Sequence, residues 1–389
     1  MTAEQLLTTE RERNGQAQPD RTVALIRSSF AVVEPQAEDV ARHFYATLFG
    51  LAPQTRDLFP VNMEVQRSRL LRALVHVVQM VDRPDELVPY LEQLGRDHRK
   101  FGVLAPHYGA VGTALISAVR EFAGPTWTPA VEKAWTGAYR TVADAMRTAA
   151  QAERGPATWL GRVVGHRRIG WDLAVVEVVA TEPVPYRAGQ YLSVETPQRP
   201  RLWRYLSPAN APRDDGRLEF HVRAVPGGWV SRSIVAHSRV GDTWRIAHPM
   251  GRMQIARNSR RNALLVAGGT GSAPIRAMLE ELVHGTGQPR TQVFVGGRTW
   301  DDLYDFAPLR RLSYDNPWLD VIPVVERDDT GNGGAEIGTL ADVVTRYGAW
   351  ADHDVTVCGS PAMIRATVAQ MLVAGTPLDR IGYDPFTLD

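Results

Sequence analysis

The sequence predicts a multidomain protein: an all-α N-terminal part, an antiparallel β middle part and a C-terminal α/β part. Apolar residues recur at spacings of three and four over residues 22–152, which indicates helices throughout. Short β-branched runs separated by Gly, Pro and Asp follow in 157–256 and predict strands. In 257–389, predicted strands and helices alternate, as they do in a parallel sheet with crossover helices. A chain of 389 residues is long enough for three such domains.

Composition and charge limit the kinds of partner. The 44 Lys and Arg residues nearly balance 43 Asp and Glu, so nothing points to a nucleic-acid partner. The single cysteine, Cys358, excludes a disulfide framework and any four-cysteine zinc or iron–sulfur site. There is neither an apolar run of about 18 residues nor a signal-like N-terminus. We therefore expect a soluble cytoplasmic protein without integral membrane association.

The helical part follows a polar segment, residues 1–21, which has no apolar period and is expected to be a loose tail. Five apolar stripes come next, separated by prolines as helices usually are. They lie within residues 41–48, 70–78, 87–98, 111–119 and 131–146. His98 closes the third stripe. A histidine on an apolar helix face is by itself more often a packed core residue than a ligand.

The C-terminal part has a regular alternation. The predicted strands are 262–267, 291–295, 319–325 and 354–358, and the predicted helices are 273–284, 340–347 and 361–374. Two small-residue turns follow predicted strands, where ligands of open α/β sheets bind. They consist of Gly268, Gly269, Thr270 and Gly271, continued by Pro274, and of Cys358, Gly359, Ser360 and Pro361. Such turns cradle a pyrophosphate or are simply structural, and Cys358 is equally well a buried packing thiol.

The β part carries two further segments suited to a flavin dinucleotide. They are Arg204, Tyr205, Leu206 and Ser207, and then Gly227, Gly228, Trp229, Val230 and Ser231. An arginine can reach a phosphate, a serine hydroxyl can bond a ring or phosphate oxygen, and paired glycines allow a close backbone approach.

These four segments, in this order, resemble the ferredoxin-reductase family, in which a flavin-binding β-barrel precedes a nicotinamide-binding domain. The resemblance covers about residues 159–389 and implies FAD and NAD(P)H as cofactors. The family has a tyrosine on the isoalloxazine where this chain has Leu206. Tyr205 is one residue earlier and should face the other side of the strand, so it does not simply replace that tyrosine.

The helical part resembles the globin domain of flavohaemoglobins, so the full resemblance covers about residues 22–389. It rests on Ala41-Arg-His-Phe-Tyr45 with Leu48-Phe49, Leu58-Phe59-Pro60, His98, and Tyr108-Gly-Ala-Val-Gly112. The resemblance implies haem b with His98 as the proximal iron ligand. It also implies Tyr45 as the distal hydroxyl toward dioxygen, and Phe59 against the porphyrin; ordinary core packing is the alternative for both.

Further positions follow from the same resemblance. Leu70 falls where the family usually has a distal glutamine and Leu74 where it has a pocket wall, although both also suit plain helix packing. Tyr108 matches the tyrosine of the proximal network. The glutamate of that network aligns with Ala152, next to Glu153, so the proximal imidazole is expected to be less anionic than in the family.

The closing segment, Ile381 to Phe386, resembles the one that brings an acidic residue and an aromatic ring near the flavin. Asp384 replaces the usual glutamate and Phe386 supplies the ring; a strand capped by an aromatic plug is the alternative. Arg298 could meet a 2′-phosphate or an acidic surface, so NADH and NADPH remain equal alternatives.

The resemblance implies a nitric oxide dioxygenase that passes electrons from NAD(P)H through FAD to haem. The alternatives are an NAD(P)H-driven haem reductase for a peroxide or another oxidant, and an oxygen- or redox-sensing globin. The expected partners are O₂, nitric oxide and NAD(P)H, and we expect a monomer, with a dimer as the alternative.

Overall fold

The computed structural model describes residues 21–328 and 334–384. The described residues up to Ala157 form one compact unit, and those from Thr158 onward form a second. Of the predicted N-terminal tail, residues 1–20 lie outside the described residues, and residue 21 is helical.

The first unit is helical, as the apolar stripes predict. Its helices are α1 (21–33), α2 (Ala37–Leu51), α3 (Glu64–Met80), α4 (Pro84–His98), α5 (Ala105–Ala123) and α6 (Pro129–Ala152). Short 3₁₀ helices cover Glu34–Gln36, Pro53–Leu58, Arg99–Phe101 and Gly124–Thr126. Helices α4 and α6 begin with a proline, which lacks the N–H that a first turn leaves unbonded. Thr128 completes the start of α6 by accepting a hydrogen bond from the Val131 N–H at 3.3 Å.

The close crossing of α4 and α6 positions the end of α4. A Cβ atom at Gly95 would lie 2.2 Å from the Met146 carbonyl oxygen, so only glycine allows this approach. Phe44, Tyr45 and Trp135 belong to the main helical core, and the Trp135 indole N–H donates to the Ser29 hydroxyl at 2.9 Å. The backbone that carries His98 is therefore held by packing one turn before that residue.

The second unit begins with a six-stranded antiparallel sheet and one helix. Its strands are β1 (Thr158–Ile169), β2 (Leu173–Ala180), β3 (Tyr191–Glu195), β4 (Arg204–Leu206), β5 (Arg217–Arg223) and β6 (Thr243–Met250), and the helix is α7 (Trp229–His237). The strand order is β4-β3-β6-β1-β2-β5. Trp244, Phe220 and Ile246 are fully buried in the core of this sheet.

The remainder is a parallel sheet with helices between its strands. Its elements are β7 (Asn262–Gly268), α8 (Ser272–Val283), β8 (Thr291–Gly297), α9 (Phe306–Asp315), β9 (Leu319–Val325), β10 (Glu336–Ile337), α10 (Leu340–Tyr347), β11 (His353–Cys358), α11 (Pro361–Ala374) and β12 (Ile381–Gly382). The order is β10-β9-β8-β7-β11-β12. The predicted fold class, all-α then antiparallel β then α/β, is confirmed.

Within the described ranges, no helix taken alone has the length and apolarity needed to cross a membrane. The stretch Pro84–Phe101 meets that requirement only together with Ala105–Thr126, and the two are bent by 112°.

Candidate functional site

His98, the last residue of α4, has its imidazole set for metal ligation. Its Nδ1 lies 2.7 Å from the Leu94 carbonyl oxygen, and since a carbonyl only accepts, Nδ1 carries the proton. The Nε2 lone pair remains, and burial lowers the pKa of His98 and so favours the neutral ring. The nearby charges of Asp97 and Lys100 oppose each other in a 2.6 Å ion pair. The ring is largely enclosed by protein and keeps some accessible surface.

Tyr108 packs near the same end of α4. Its half-buried ring belongs to a small apolar cluster with Leu94 and Met146, and its backbone carbonyl accepts the Tyr139 hydroxyl at 2.5 Å. The α6 residues of this cluster are all apolar: Val142, Ala145 and Met146. Ala152 is exposed at the last position of α6 and Glu153 follows as its capping residue.

Tyr45, in the middle of α2, supplies a buried hydroxyl. Its oxygen lies 3.4 Å from the Gln66 carbonyl oxygen, which is long for a hydroxyl hydrogen bond. Burial raises the pKa of Tyr45 to about 12, so the phenol stays protonated at neutral pH. Phe59 packs edge-on against its ring at 5.4 Å between centroids, and Phe49 packs at 5.8 Å. The hydroxyl is therefore a weakly engaged donor among aromatic rings.

Leu70 and Leu74 lie one turn apart on α3 and pack, half-buried, against the cluster that contains Tyr45. Phe59, just after the 3₁₀ helix Pro53–Leu58, is half-buried in the same cluster. Apolar walls and an imidazole with an available Nε2 are what holds a haem, and a buried hydroxyl is a donor for a ligand on its iron. The residues of this unit fit that cofactor.

In the sheet, Leu206 and Tyr205 face opposite sides of β4, as the strand alternation predicts. Leu206 is paired with Leu192 and packs on the sheet core, whereas the Tyr205 ring contacts Tyr191 at 5.0 Å. Arg204 begins the strand and is half-buried; one of its contacts is to the Trp203 carbonyl oxygen, at 2.9 Å. Ser207 follows β4 and is partly exposed.

The Gly227–Ser231 segment forms the turn into α7. Gly227 has a φ of +73°, which side chains rarely adopt. A Cβ at Gly228 would lie 2.5 Å from the Ser231 Oγ, so glycine is needed there too. The Ser231 hydroxyl donates to the Gly228 carbonyl at 3.3 Å, and Val230 is buried. The turn exposes backbone at a helix start, which suits a pyrophosphate.

The two small-residue turns of the α/β part meet at one sheet edge. Strands β7 and β11 are adjacent, with Ala267 paired to Cys358. A Cβ at Gly271 would lie 2.3 Å from the Cys358 carbonyl oxygen, and one at Gly359 would lie 3.2 Å from the Gly268 carbonyl oxygen. These glycines let the turns pack directly against each other.

The other residues of these turns shape the adjoining helices. Gly269 has a φ of +56°, Thr270 is half-buried and Pro274 is buried in α8. Ser360 caps α11 by accepting from the Met363 N–H at 3.3 Å, and Pro361 is the first residue of that helix. The two turns thus form a backbone cradle at a helix start, which fits a dinucleotide.

Cys358 behaves as a packing thiol. It is buried, and its Sγ lies 3.4 Å from the Met253 Sδ. Burial raises the pKa of the Cys358 thiol far above its ordinary value, so no thiolate forms at neutral pH. Of the two alternatives that the sequence leaves open, the geometry favours the packing one.

Asp384 is buried beside the end of β6. Its Oδ2 lacks a hydrogen-bond partner within the part of the chain that the structure describes, and burial raises its pKa to about 6. A Cβ at Gly251 would lie 2.8 Å from that oxygen and 3.0 Å from the Tyr191 ring. An unbonded carboxyl oxygen next to the Tyr191–Tyr205 pair is an acceptor for a polar ligand such as a flavin. Phe386, predicted near the flavin, lies outside the described residues.

Arg298 follows β8 and is exposed. Its backbone N–H donates to the Asp302 Oδ2 at 3.1 Å, and its Nε lies 3.9 Å from the same oxygen. Its acidic neighbour is therefore Asp302, and contact with a 2′-phosphate stays a prediction.

The sequence reasoning missed a buried polar cluster between the antiparallel sheet and α8. It contains Glu219, His221, Ser272, Arg276, Tyr304 and Asp305. Polar residues inside apolar runs could have indicated this cluster in the sequence. Arg276 lies within the otherwise apolar helix α8, and His221 lies within the buried strand β5.

Family models match three consecutive parts of the chain. The model described as Globin matches residues 42–146, the Oxidoreductase FAD-binding domain matches 161–255, and the Oxidoreductase NAD-binding domain matches 265–369.

Curated relatives match along nearly the whole chain. A flavohemoprotein of Bacillus subtilis is 23% identical over 94% of this chain and 97% of its own length. A flavohemoprotein of Chromobacterium violaceum is 25% identical over 94% of this chain and 98% of its own. Among solved structures, a flavohemoglobin from Malassezia yamatoensis with bound FAD and heme shares the fold. Its TM-score is 0.77 at 17% identity, over 93% of this chain and 98% of that one.

The three domains in this order define a class of protein: a globin joined to an FAD- and nicotinamide-dependent oxidoreductase module. Its cofactors are haem, FAD and NAD(P)H. Over nearly its whole length the chain is similar to flavohaemoproteins. It is accordingly an NAD(P)H-dependent oxidoreductase.

Proposed function

We propose that the protein is a nitric oxide dioxygenase. The reaction adds dioxygen and one electron to nitric oxide and gives nitrate, so one NAD(P)H serves two nitric oxide molecules. The observation that carries the proposal is the buried phenol of Tyr45, which stays protonated and is only weakly bonded to the Gln66 carbonyl. A preorganised donor in an apolar pocket stabilises negative charge that develops on a nearby oxygen.

The chain's own residues divide the work between the two units. His98, with its proton held on Nδ1 by Leu94, offers Nε2 to the iron. Leu70, Leu74 and Phe59 line the pocket with apolar surface and limit water there. Haem supplies, when bound, an iron that takes single electrons, and FAD converts the two-electron hydride donor into that one-electron supply.

In the second unit, the proposed FAD contacts are Arg204–Ser207, Gly227–Ser231 and Asp384. The proposed dinucleotide contacts are Gly268–Gly271, Cys358–Pro361 and Arg298. Each set includes a feature that fits its cofactor. For the flavin it is the Asp384 Oδ2, which has no hydrogen-bond partner among the described residues, and for the dinucleotide it is the Gly271–Cys358 cradle.

Product analysis tests the proposed activity. Protein loaded with haem and FAD, given excess NADH or NADPH in aerated buffer, should consume two nitric oxide molecules per nucleotide and release nitrate rather than nitrite. The control is the same protein without nucleotide, which should stop once its stored electrons are used. Absence of nitrate above the spontaneous rate would refute the dioxygenase. Oxidation of the nucleotide by a peroxide would then support the haem reductase, and stable dioxygen binding without turnover would support the sensor.

Substitution of Leu206 by tyrosine tests the proposed flavin contact. Leu206 packs on the sheet core but is only half-buried, so part of its position is accessible to a ligand, and a tyrosine there adds an aromatic contact and a hydroxyl. FAD should bind tighter by about 1–2 kcal/mol, with a shifted flavin potential and an unchanged haem spectrum. FAD titration of the flavin-free protein and redox titration measure both effects. Leu160→Tyr, at an exposed position of β1, is the matched control; equal behaviour of the two variants would show that Leu206 is not near the isoalloxazine.

A further inference from the structure

A partly buried chain of hydrogen bonds runs from the antiparallel sheet to the first turn of α8. The Ser272 hydroxyl lies 3.3 Å from the Tyr304 hydroxyl, which lies 2.9 Å from the His221 Nδ1. The His221 Nε2 in turn lies 2.8 Å from the Glu219 carboxylate. The His221 side chain at the centre of the chain is only 1% exposed, so its ring nitrogens are shielded from water.

Arg276 forms a second branch from α8 to the same carboxylate. Its guanidinium bonds Glu219, donates from Nε to the Ala209 carbonyl at 2.9 Å and reaches Asp305 at 2.7 Å. Two neighbouring backbone N–H groups are also fixed by α8: Ala211 donates to Glu280 at 3.1 Å, and Ala188 donates to Glu281 at 3.0 Å. The sheet and α8 are therefore joined by directional contacts rather than by apolar packing alone.

The charge on Glu219 determines the direction of its hydrogen bond with His221. Burial acts to raise its pKa, but the hydrogen bond from His221 and the charge of Arg276 prevail and lower it to about 2. The carboxylate thus accepts, and His221 Nε2 carries the proton. The Nδ1 atom of the same ring bonds the Tyr304 hydroxyl, which keeps its proton because burial raises the pKa of Tyr304. The Tyr304 and Ser272 hydroxyls share the last hydrogen bond of this branch.

Ser272 connects this chain of hydrogen bonds to the dinucleotide cradle. It is the first residue of α8 and directly follows Gly271, whose backbone packs closely against the Cys358 carbonyl oxygen. The cradle is consequently fixed on one side by β11 and on the other by the hydroxyl chain to β5. A shift of the turn relative to the antiparallel sheet would break at least one buried hydrogen bond.

We propose that Tyr304 and His221 are positioning residues for hydride transfer. They hold the Gly268–Gly271 turn at a fixed place relative to the sheet that carries the proposed flavin contacts, so the nicotinamide meets the flavin in one orientation. The inference rests on the proposed dinucleotide and flavin contacts and is independent of the reaction with nitric oxide. A misplacement of reacting groups by about 1 Å is enough to slow a reaction considerably.

Tyr304→Phe tests this role because it removes the hydroxyl that links Ser272 to His221. Tyr314→Phe is the matched control, since Tyr314 is 75% exposed and its hydroxyl accepts only from Arg310 among the described residues. Under anaerobic conditions the limiting rate of flavin reduction by NADH or NADPH should fall about tenfold in Tyr304→Phe. The affinity for NAD⁺ and NADP⁺, measured by calorimetry, should change less than threefold. Amide hydrogen exchange over residues 268–276 should become faster.

A pair of variants at His221 separates positioning from general stability. The side-chain oxygen of His221→Asn can stand in for Nδ1 and accept from Tyr304, whereas His221→Phe offers no acceptor. The asparagine variant should reduce its flavin within about threefold of the wild-type rate, and the phenylalanine variant should match Tyr304→Phe.

Equal rates in Tyr304→Phe and Tyr314→Phe, or a lowered melting temperature with an unchanged limiting rate, would overturn the proposal. So would equal losses in the two His221 variants. Because flavin reduction precedes any haem chemistry, a wild type that reduces its flavin but makes no nitrate removes only the dioxygenase assignment. A wild type whose flavin neither nucleotide reduces would overturn the positioning role itself.

Discussion

The His98→Ala variant is expected to contain FAD but no haem. His98 is the proposed iron ligand, and its neutral ring with Nδ1 bonded to Leu94 leaves Nε2 as the only ligating atom of that side chain. The helical unit ends at Ala157, and the proposed FAD and dinucleotide contacts belong to the other unit. Dye reduction by NAD(P)H should therefore continue at the wild-type rate, while the haem absorbance of the purified protein disappears.

Two further variants make this result specific. His43→Ala removes another histidine of the same unit, one that bonds only the Ser117 hydroxyl at 3.2 Å within the described chain, and it should retain its haem. His98→Gly should recover haem when imidazole is added, because free imidazole can enter the space and supply the missing nitrogen. Full haem content in His98→Ala with an unchanged axial-ligand spectrum would rule out His98 as the ligand.

The order of the elements could be predicted where local pattern is strong. In the α/β part, the predicted strand 319–325 and the predicted helices 340–347 and 361–374 coincide with β9, α10 and α11. Buried parallel strands are continuous apolar runs, and the helices between them begin at a proline or a capping threonine, so sequence alone marks both.

The antiparallel sheet was harder to predict because distant partners create its strands. β4 has only three residues and exists through its pairing with β3. β1 includes two glycines and three arginines, and its ends pair with different strands, β6 and β2. The sequences of such strands have no clear alternation of apolar and polar residues, because their stability comes from cross-strand contacts. Apolar residues, mainly valine and leucine, make β2, β3 and β5 easier to recognise in the sequence.

Some parts of the candidate site could likewise be predicted from the sequence, and others could not. Glycine-rich turns and an ordered set of aromatic residues are visible along the chain, so the cradle at Gly271 and the group around Tyr45 could be predicted. The hydroxyl chain could not, because Ser272 and Tyr304 are 32 residues apart and His221 is 83 residues from Tyr304. The opposed faces of Tyr205 and Leu206 were predictable, since strand alternation alone determines them.

The Tyr45→Phe variant should lose most of the proposed activity while keeping both cofactors. Its phenol is the buried donor beside Leu70 and Leu74, and phenylalanine preserves the ring contacts with Phe59 and Phe49. Dioxygen should dissociate faster, and nitric oxide turnover should fall about 10- to 100-fold, equivalent to about 1.4–2.7 kcal/mol of transition-state stabilisation. Flash photolysis measures the first effect and a nitric oxide electrode the second.

Tyr90→Phe is the matched control, because Tyr90 lies on α4, packs against His76 at 4.5 Å and belongs to a different cluster. It should turn over nitric oxide at the wild-type rate, and flavin reduction should be unchanged in both variants since that step occurs in the other unit. The pH dependence gives a further check: with a phenol pKa of about 12, wild-type activity should show no loss from Tyr45 ionisation below about pH 11. If Tyr45→Phe bound dioxygen as firmly as the wild type and made nitrate as fast, the donor role of Tyr45 would be wrong and an apolar pocket alone would have to account for the chemistry.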